Sequence, residues 1–132
     1  VPARRDVDSP EARRGEEAFA TMGCAACHVP RAATGHTSEP ALSEQIIFPY
    51  TDLLLHDLGP GLGEMKTRTP PLWGLGLHAV VNGNVTLLHD GRARTISEAI
   101  LWHGGEATRA RDAFSRADAP TRHDLQRFLE SL

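Results

Sequence analysis

Cys24-Ala25-Ala26-Cys27-His28 gathers the chain's only two thiols and an imidazole into five consecutive residues. C-x-x-C-H at this spacing is the attachment signature of a c-type haem. Two thiols three positions apart can add to the two vinyl groups of one macrocycle. The residue after the second thiol then puts an imidazole under the iron as proximal ligand. Alanine at both middle positions leaves the turn free of steric conflict. The expected cofactor is therefore one covalent haem c, held by Cys24 and Cys27 and ligated by His28.

Other chemistries of a close cysteine pair need different surroundings. Two thiols so near each other cannot staple distant segments. A thioredoxin-like redox pair wants a parallel sheet around it, and no strand–helix alternation is visible. A zinc site wants a second pair of ligands at regular spacing, and the chain has no further cysteine.

The elements that must position this motif are mostly helical. Ser9-Pro10-Glu11 has a capping side chain, proline at the first helical position and an acid at the positive dipole end. A helix is predicted from there to about Met22, with Ala12 and Phe19 inward and Gly23 ending it. From Val29 to Tyr50 the chain reads as loop, with one helical turn over Leu42–Ile47. Asp52-Leu53-Leu54-Leu55-His56 reads as a short buried helix. Pro70 and Pro71 forbid a regular element around Trp73. Val80-Val81 and Val85–Leu88 flank Asn82-Gly83-Asn84, which leaves room for one small β-hairpin. Thr95-x-x-Glu98 is a capping box before Ala99–His103, stopped by Gly104-Gly105. A helix over about Glu106–Phe114 follows. The last starts near Pro120 with Thr121-x-x-Asp124 as its capping box, and Leu125, Phe128, Leu129 and Leu132 form its buried face.

The expected fold is a mostly α, cytochrome c-like domain with long haem-wrapping loops. It is one domain over residues 1–132, with an ordered core from about residue 9 and residues 1–8 as an N-terminal extension. Aromatic residues make up only 5% of the chain, so a haem would supply apolar bulk that side chains do not. A net charge of −3, with thirteen arginines spread along the chain, offers no basic surface for nucleic acid. No apolar run reaches the length of a membrane span. The opening Val1-Pro2-Ala3-Arg4-Arg5 reads as a mature or trimmed start.

Five separated segments carry a resemblance. CAACHVP (Cys24–Pro30), YTDLLLHDLGPGL (Tyr50–Leu62), RTPPLWGL (Arg68–Leu75), HDGRAR (His89–Arg94) and ISEAILWHGGEA (Ile96–Ala107) resemble, in this order, the C-terminal cytochrome domain of the di-haem oxidoreductases. These bacterial proteins are often labelled thiol oxidoreductases and are similar in plan to di-haem cytochrome c peroxidases. Family members carry two haem domains and this chain resembles one of them. Gly63–Thr67 is also shorter than the family usually has. The resemblance implies a periplasmic location, redox partner proteins and a second haem domain among the candidate partners.

The sixth iron ligand is expected to be His103. It shares a helical face with Ile96, Ala99 and Ile100, and Gly104-Gly105 leaves room for its ring. The resemblance agrees, since a distal ligand follows the HDG-type motif at about this spacing in the peroxidases. Met65, in a Gly-rich loop, is the alternative distal ligand. Met22 sits too close to Cys24 to cross to the other haem face. Arg68 could pair with a haem propionate through its fork of donors, or cap loop carbonyls. Trp73 could run along a haem edge, or be plain core. His89-Asp90-Gly91 reads as an Asp-Gly turn, and His56 as a half-buried ring with a hydrogen bond. The leading functional expectation is single-electron transfer between redox partners. The rivals are a peroxidase-like domain with an open distal position and half of a di-haem oxidoreductase.

Overall fold

A computed structural model describes residues 3–62 and 66–132. Its helices are α1 (Pro10–Thr21), α2 (His78–Asn82), α3 (Ile96–Trp102), α4 (Thr108–Arg116) and α5 (Ala119–Ser131). Two short antiparallel ladders pair β1 (Ala32–Ala33) with β2 (Ile46–Ile47) and β3 (Leu55–His56) with β4 (Thr67–Arg68). Single 3₁₀ turns occupy Cys24–Ala26, Pro60–Leu62, Leu75–Leu77 and Gly105–Ala107. The mostly α expectation is met, with minor β structure.

The core is the crossing of the first and last helices. Ser9 Oγ accepts from Ala12 N at 3.1 Å, a cap of the kind that contributes about 1 kcal/mol. One turn later Gly15 faces α5 so closely that a Cβ there would lie 2.0 Å from the Asp124 carbonyl oxygen. Backbone meets backbone at that point, and the Arg14 fork closes it from outside, Nε to Asp124 Oδ2 at 2.6 Å and Nη2 to Oδ1 at 3.2 Å. Below the crossing, Phe19, Tyr50, Phe114, Leu125, Phe128, Leu129 and Leu132 are buried together. Phe19 and Phe128 stack tilted with centroids 5.2 Å apart, and Tyr50 meets Phe128 edge-on at 5.8 Å. Residues ahead of α1 dock here as well: Arg5 N donates to the Ser131 carbonyl at 2.8 Å, and the Arg4 guanidinium lies 5.1 Å from the Phe128 centroid.

Several local expectations are corrected. Asp52–His56 is extended, not helical: Leu53 adopts φ +60°, and Leu55-His56 ladders with Thr67-Arg68. The pairing satisfies backbone groups that a five-residue helix would leave as orphans. Nor are the leucines buried; Leu53, Leu54 and Leu55 are 54%, 60% and 53% exposed. No hairpin forms at Asn82-Gly83-Asn84. Val80 and Val81 belong to α2, and Gly83 closes that helix at φ +73°. Leu42 lies in a turn, its N–H donating to the Glu39 carbonyl, rather than in a helix, and Ile46-Ile47 becomes a strand. The penultimate helix runs Thr108–Arg116, with a 3₁₀ turn ahead of it. For α5 the cap is Asp118, whose Oδ1 accepts from Thr121 N at 2.9 Å. Thr121 is thus already inside the helix, and Asp124 is engaged by Arg14 instead of closing a capping box.

Candidate functional site

Gly23 ends α1 at φ +90°, a left-handed turn that glycine adopts without a Cβ clash. The chain then tightens into the 3₁₀ turn Cys24–Ala26, and His28 N donates back to the Cys24 carbonyl at 3.0 Å. This presents both thiols and the imidazole within one loop at the end of a well-anchored helix. Burial pushes the Cys24 thiol up to about 11, and Cys27 is also raised, first by burial and then by Asp52 and Glu106. A dithiol redox pair needs a thiolate, so these environments argue against it.

The two histidines are held in the same way. His28 donates Nδ1–H to the Tyr50 carbonyl at 3.0 Å, and His103 donates Nδ1–H to the Ala99 carbonyl at 2.7 Å. A carbonyl only accepts, so each bond fixes the proton on Nδ1 and leaves the lone pair on Nε2. That is the arrangement of a metal-binding imidazole, oriented by a hydrogen bond from its other nitrogen. Burial lowers His28 to about 4, against the opposing hydrogen bond to Tyr50. Burial lowers His103 too, so both rings are neutral near neutral pH. His103 is the C-cap of α3 rather than its last helical residue, at φ −64° and ψ 120°. Its ring thereby satisfies one orphan carbonyl of the helix and keeps its other nitrogen for a ligand.

A polar bridge that the sequence did not reveal ties the two halves of this region. Asp52 N donates to the Cys27 carbonyl at 2.9 Å. His56 then places Nε2 2.7 Å from Asp52 Oδ2 and Nδ1 2.8 Å from Glu106 Oε2. Glu106 Oε1 accepts from Asp57 N at 3.0 Å, and Asp57 O accepts from Glu106 N at 2.8 Å. Cys27, Asp52 and His56 offer ligand atoms within 4.8 Å of one another. Both ring nitrogens of His56 face carboxylates, however, so the group is an ion-pair chain with no lone pair for a cation. The Asp52–His56 spacing was its sole local trace in the sequence; Glu106 is fifty residues away.

The remaining candidates are more dispersed. Arg68 is exposed and donates Nη1 to the Leu53 carbonyl, so it caps a loop carbonyl. Trp73 lines a cleft of about 260 Å³ with Ile46, Ile47, Phe48, Tyr50 and Leu132. Met65 lies outside the described residues. His89 is exposed, and Asp90 Oδ1 accepts from Arg92 N at 3.2 Å in a turn through Gly91 at φ +71°. Arg92 also stacks over Trp102, 4.8 Å from the ring centroid, and donates to the Gly61 carbonyl.

These residues fit a haem. The donor set is two thiols on one turn plus two imidazoles with Nε2 lone pairs. Leu53, Leu54 and Leu55 follow the bridge from Cys27, and Leu101 and Trp102 precede His103; all five are exposed apolar side chains. A flat apolar macrocycle is the kind of group such surface covers. Among the described residues no helix is long and apolar enough to cross a membrane. No curated protein and no solved structure matches the chain. The family described as "Di-haem oxidoreductase, putative peroxidase" matches residues 1–132. The chain belongs to the di-haem oxidoreductase family, a family of haem-binding redox proteins.

Proposed function

We propose that the chain is a c-type cytochrome domain that relays single electrons, with one haem bound covalently through Cys24 and Cys27 between His28 and His103. The observation that carries this reading is the matched pair of Nδ1–H bonds, His28 to Tyr50 and His103 to Ala99. Cys24 and Cys27 would hold the haem through thioether bonds, each thiol adding sulfur to one vinyl carbon and its proton to the other, with no oxidant or reductant needed. Once bound, the haem supplies a one-electron ferric/ferrous couple. The protein's part is to orient two neutral imidazoles and bury the group. If His28 and His103 both hold the iron, the protein would leave no coordination site for a peroxide. Arg68 retains donors beyond its bond to Leu53 with which to meet a propionate, and Trp73 offers its ring at a haem edge. The reading implies a periplasmic location, where bacterial haem attachment occurs, with redox proteins as partners.

The family description favours a second reading, in which this chain is the C-terminal half of a di-haem oxidoreductase and another haem domain is its partner. The ferric electron paramagnetic resonance spectrum of the haem-loaded chain separates electron transfer from peroxidase-like catalysis. A low-spin signal, lost in His103→Ala and kept in Met65→Leu, supports the electron-transfer site. A high-spin resting signal that changes on adding peroxide would move the assignment to an enzyme with an open distal position. Loss of the low-spin signal in Met65→Leu alone would make Met65 the ligand.

A further inference from the structure

We infer that His56 is a positioning residue that holds the His103 turn in place by bridging Asp52 and Glu106 with a doubly protonated ring. The inference rests on His103 as the distal ligand. The geometry gives His56 no alternative charge state with both bonds intact. Nε2 lies 2.7 Å from Asp52 Oδ2 and Nδ1 lies 2.8 Å from Glu106 Oε2. A carboxylate only accepts, so each bond needs a proton on the nitrogen that faces it. A neutral imidazole has one N–H and would turn a lone pair toward one of the two carboxylates.

The bridge has something to hold at both ends. Asp52 is tied to the haem-attachment turn through the Cys27 carbonyl. At the other end Glu106 follows the Gly104-Gly105 turn that His103 opens. Gly105, at φ +49°, packs so tightly on this segment that a Cβ would lie 2.2 Å from the Asp57 carbonyl oxygen. A Cβ at Gly104 would lie 2.8 Å from the Leu58 carbonyl oxygen, also closer than real contacts allow. The two segments therefore touch backbone to backbone, and the Glu106 carboxylate links them from its side chain, Oε1 accepting from Asp57 N and Oε2 facing the His56 ring.

The groups around the ring favour the charged state. Asp52 and Glu106 face it directly and raise its pKa, while partial burial opposes them. His28 would be a like-charged neighbour if protonated, but burial keeps it neutral. Cys27 is committed to the haem, and Lys66 acts on Glu106. A raised pKa means that the bridge is complete at low pH and is lost as pH rises through the folded-state value. The His103 turn should thus loosen toward alkaline pH.

Carbon monoxide binding to the ferrous, haem-loaded protein tests this, because the gas does not titrate and must wait for His103 to leave. Wild type should bind slowly at about pH 6 and faster by about pH 9. His56→Gln, which can donate to only one carboxylate, should bind about tenfold faster at every pH. Asp52→Asn should stay slow and flat across the range, since its amide can donate to the Nε2 lone pair of a neutral ring. A merely structural His56 would change melting temperature without making Asp52→Asn insensitive to pH. A flat wild-type profile together with a slow His56→Gln would overturn the proposal. His103→Ala serves as the control. If it binds the gas no faster than wild type, the ligand assignment and this inference fall together. If His103→Ala is fast while His56→Gln is slow, His56 alone is wrong.

Discussion

His28 hangs from a strained residue: its Nδ1–H bonds the carbonyl of Tyr50, which sits at φ +55°. A non-glycine residue in the left-handed region costs of order 1 kcal/mol and persists only where its surroundings over-determine it. Here they do. The Tyr50 ring is buried against Phe19 and Phe128, Thr51 N donates to the Val29 carbonyl at 3.0 Å, and Leu72 N donates to the Pro49 carbonyl at 3.0 Å. The helix crossing thus sets the direction of the His28 ring, the proposed proximal ligand. Tyr50→Phe keeps the carbonyl and the ring and should leave the reduction potential unchanged. Tyr50→Ala removes the buried ring, should cost about 3 kcal/mol, and should shift the potential as the His28 ring reorients. Redox titration and thermal melts of the two variants check this.

Gly15 is the tightest point of the core, with a would-be Cβ 2.0 Å from Asp124 O and 2.6 Å from Phe128 Cβ. Gly15→Ala must push α1 off α5. The expected loss is about 1–3 kcal/mol, which lowers Tm by about 3–10 °C. Differential scanning calorimetry of the haem-loaded protein reads it directly.

Acid should release the axial ligands late. Burial lowers His28 from 6.5 to about 4 and also lowers His103. A depressed pKa keeps each ring neutral, and able to bind iron, above the folded value; that ability is lost as pH falls through it. Iron ligation deepens the same preference. The low-spin absorption should therefore persist below the ordinary histidine range and be lost only on further acidification. A transition near 6.5 would show that one ring is solvated.

Much of this was legible in the sequence, and the reasons are local. Cys24–His28 is a contiguous motif. Ser9-Pro10 and Thr95 are caps whose partners lie three residues away; Glu98 N indeed donates to Thr95 Oγ1 at 3.0 Å. The misreadings concern residues whose state is set from afar. Leu53-Leu54-Leu55 looks like a buried helix, yet its neighbours Leu55 and His56 pair with Arg68 and Thr67, and its apolar surface faces outward. Val80 and Val81 favour a strand by type, but Gly83 closes a short helix around them. Glu106 could not be paired with His56 because nothing nearby in sequence marks a contact across fifty residues.

Folding should divide along the same line. Phe19, Phe114, Leu125, Phe128, Leu129 and Leu132 form a packed core around α1 and α5 without a cofactor. Between residues 51 and 107 the fully buried hydrophobics are Leu87 and Ala93 among the described residues. Without haem this middle segment has too little apolar burial to offset its ordering entropy. In Cys24→Ala/Cys27→Ala, hydrogen exchange should be fast across residues 51–107 and remain protected in α1 and α5. Uniform protection of both regions would contradict this division.

The most direct test of the whole account is the mass of the denatured protein after expression with a bacterial haem-attachment system. Thioether bonds survive unfolding, so the wild-type chain should weigh more than its sequence by one haem, and acid–acetone should extract no pigment. Cys24→Ala/Cys27→Ala should weigh only as much as its sequence. A wild-type mass equal to the bare chain, with haem extractable or absent, would contradict the attachment at Cys24 and Cys27 on which the proposed electron-transfer site depends.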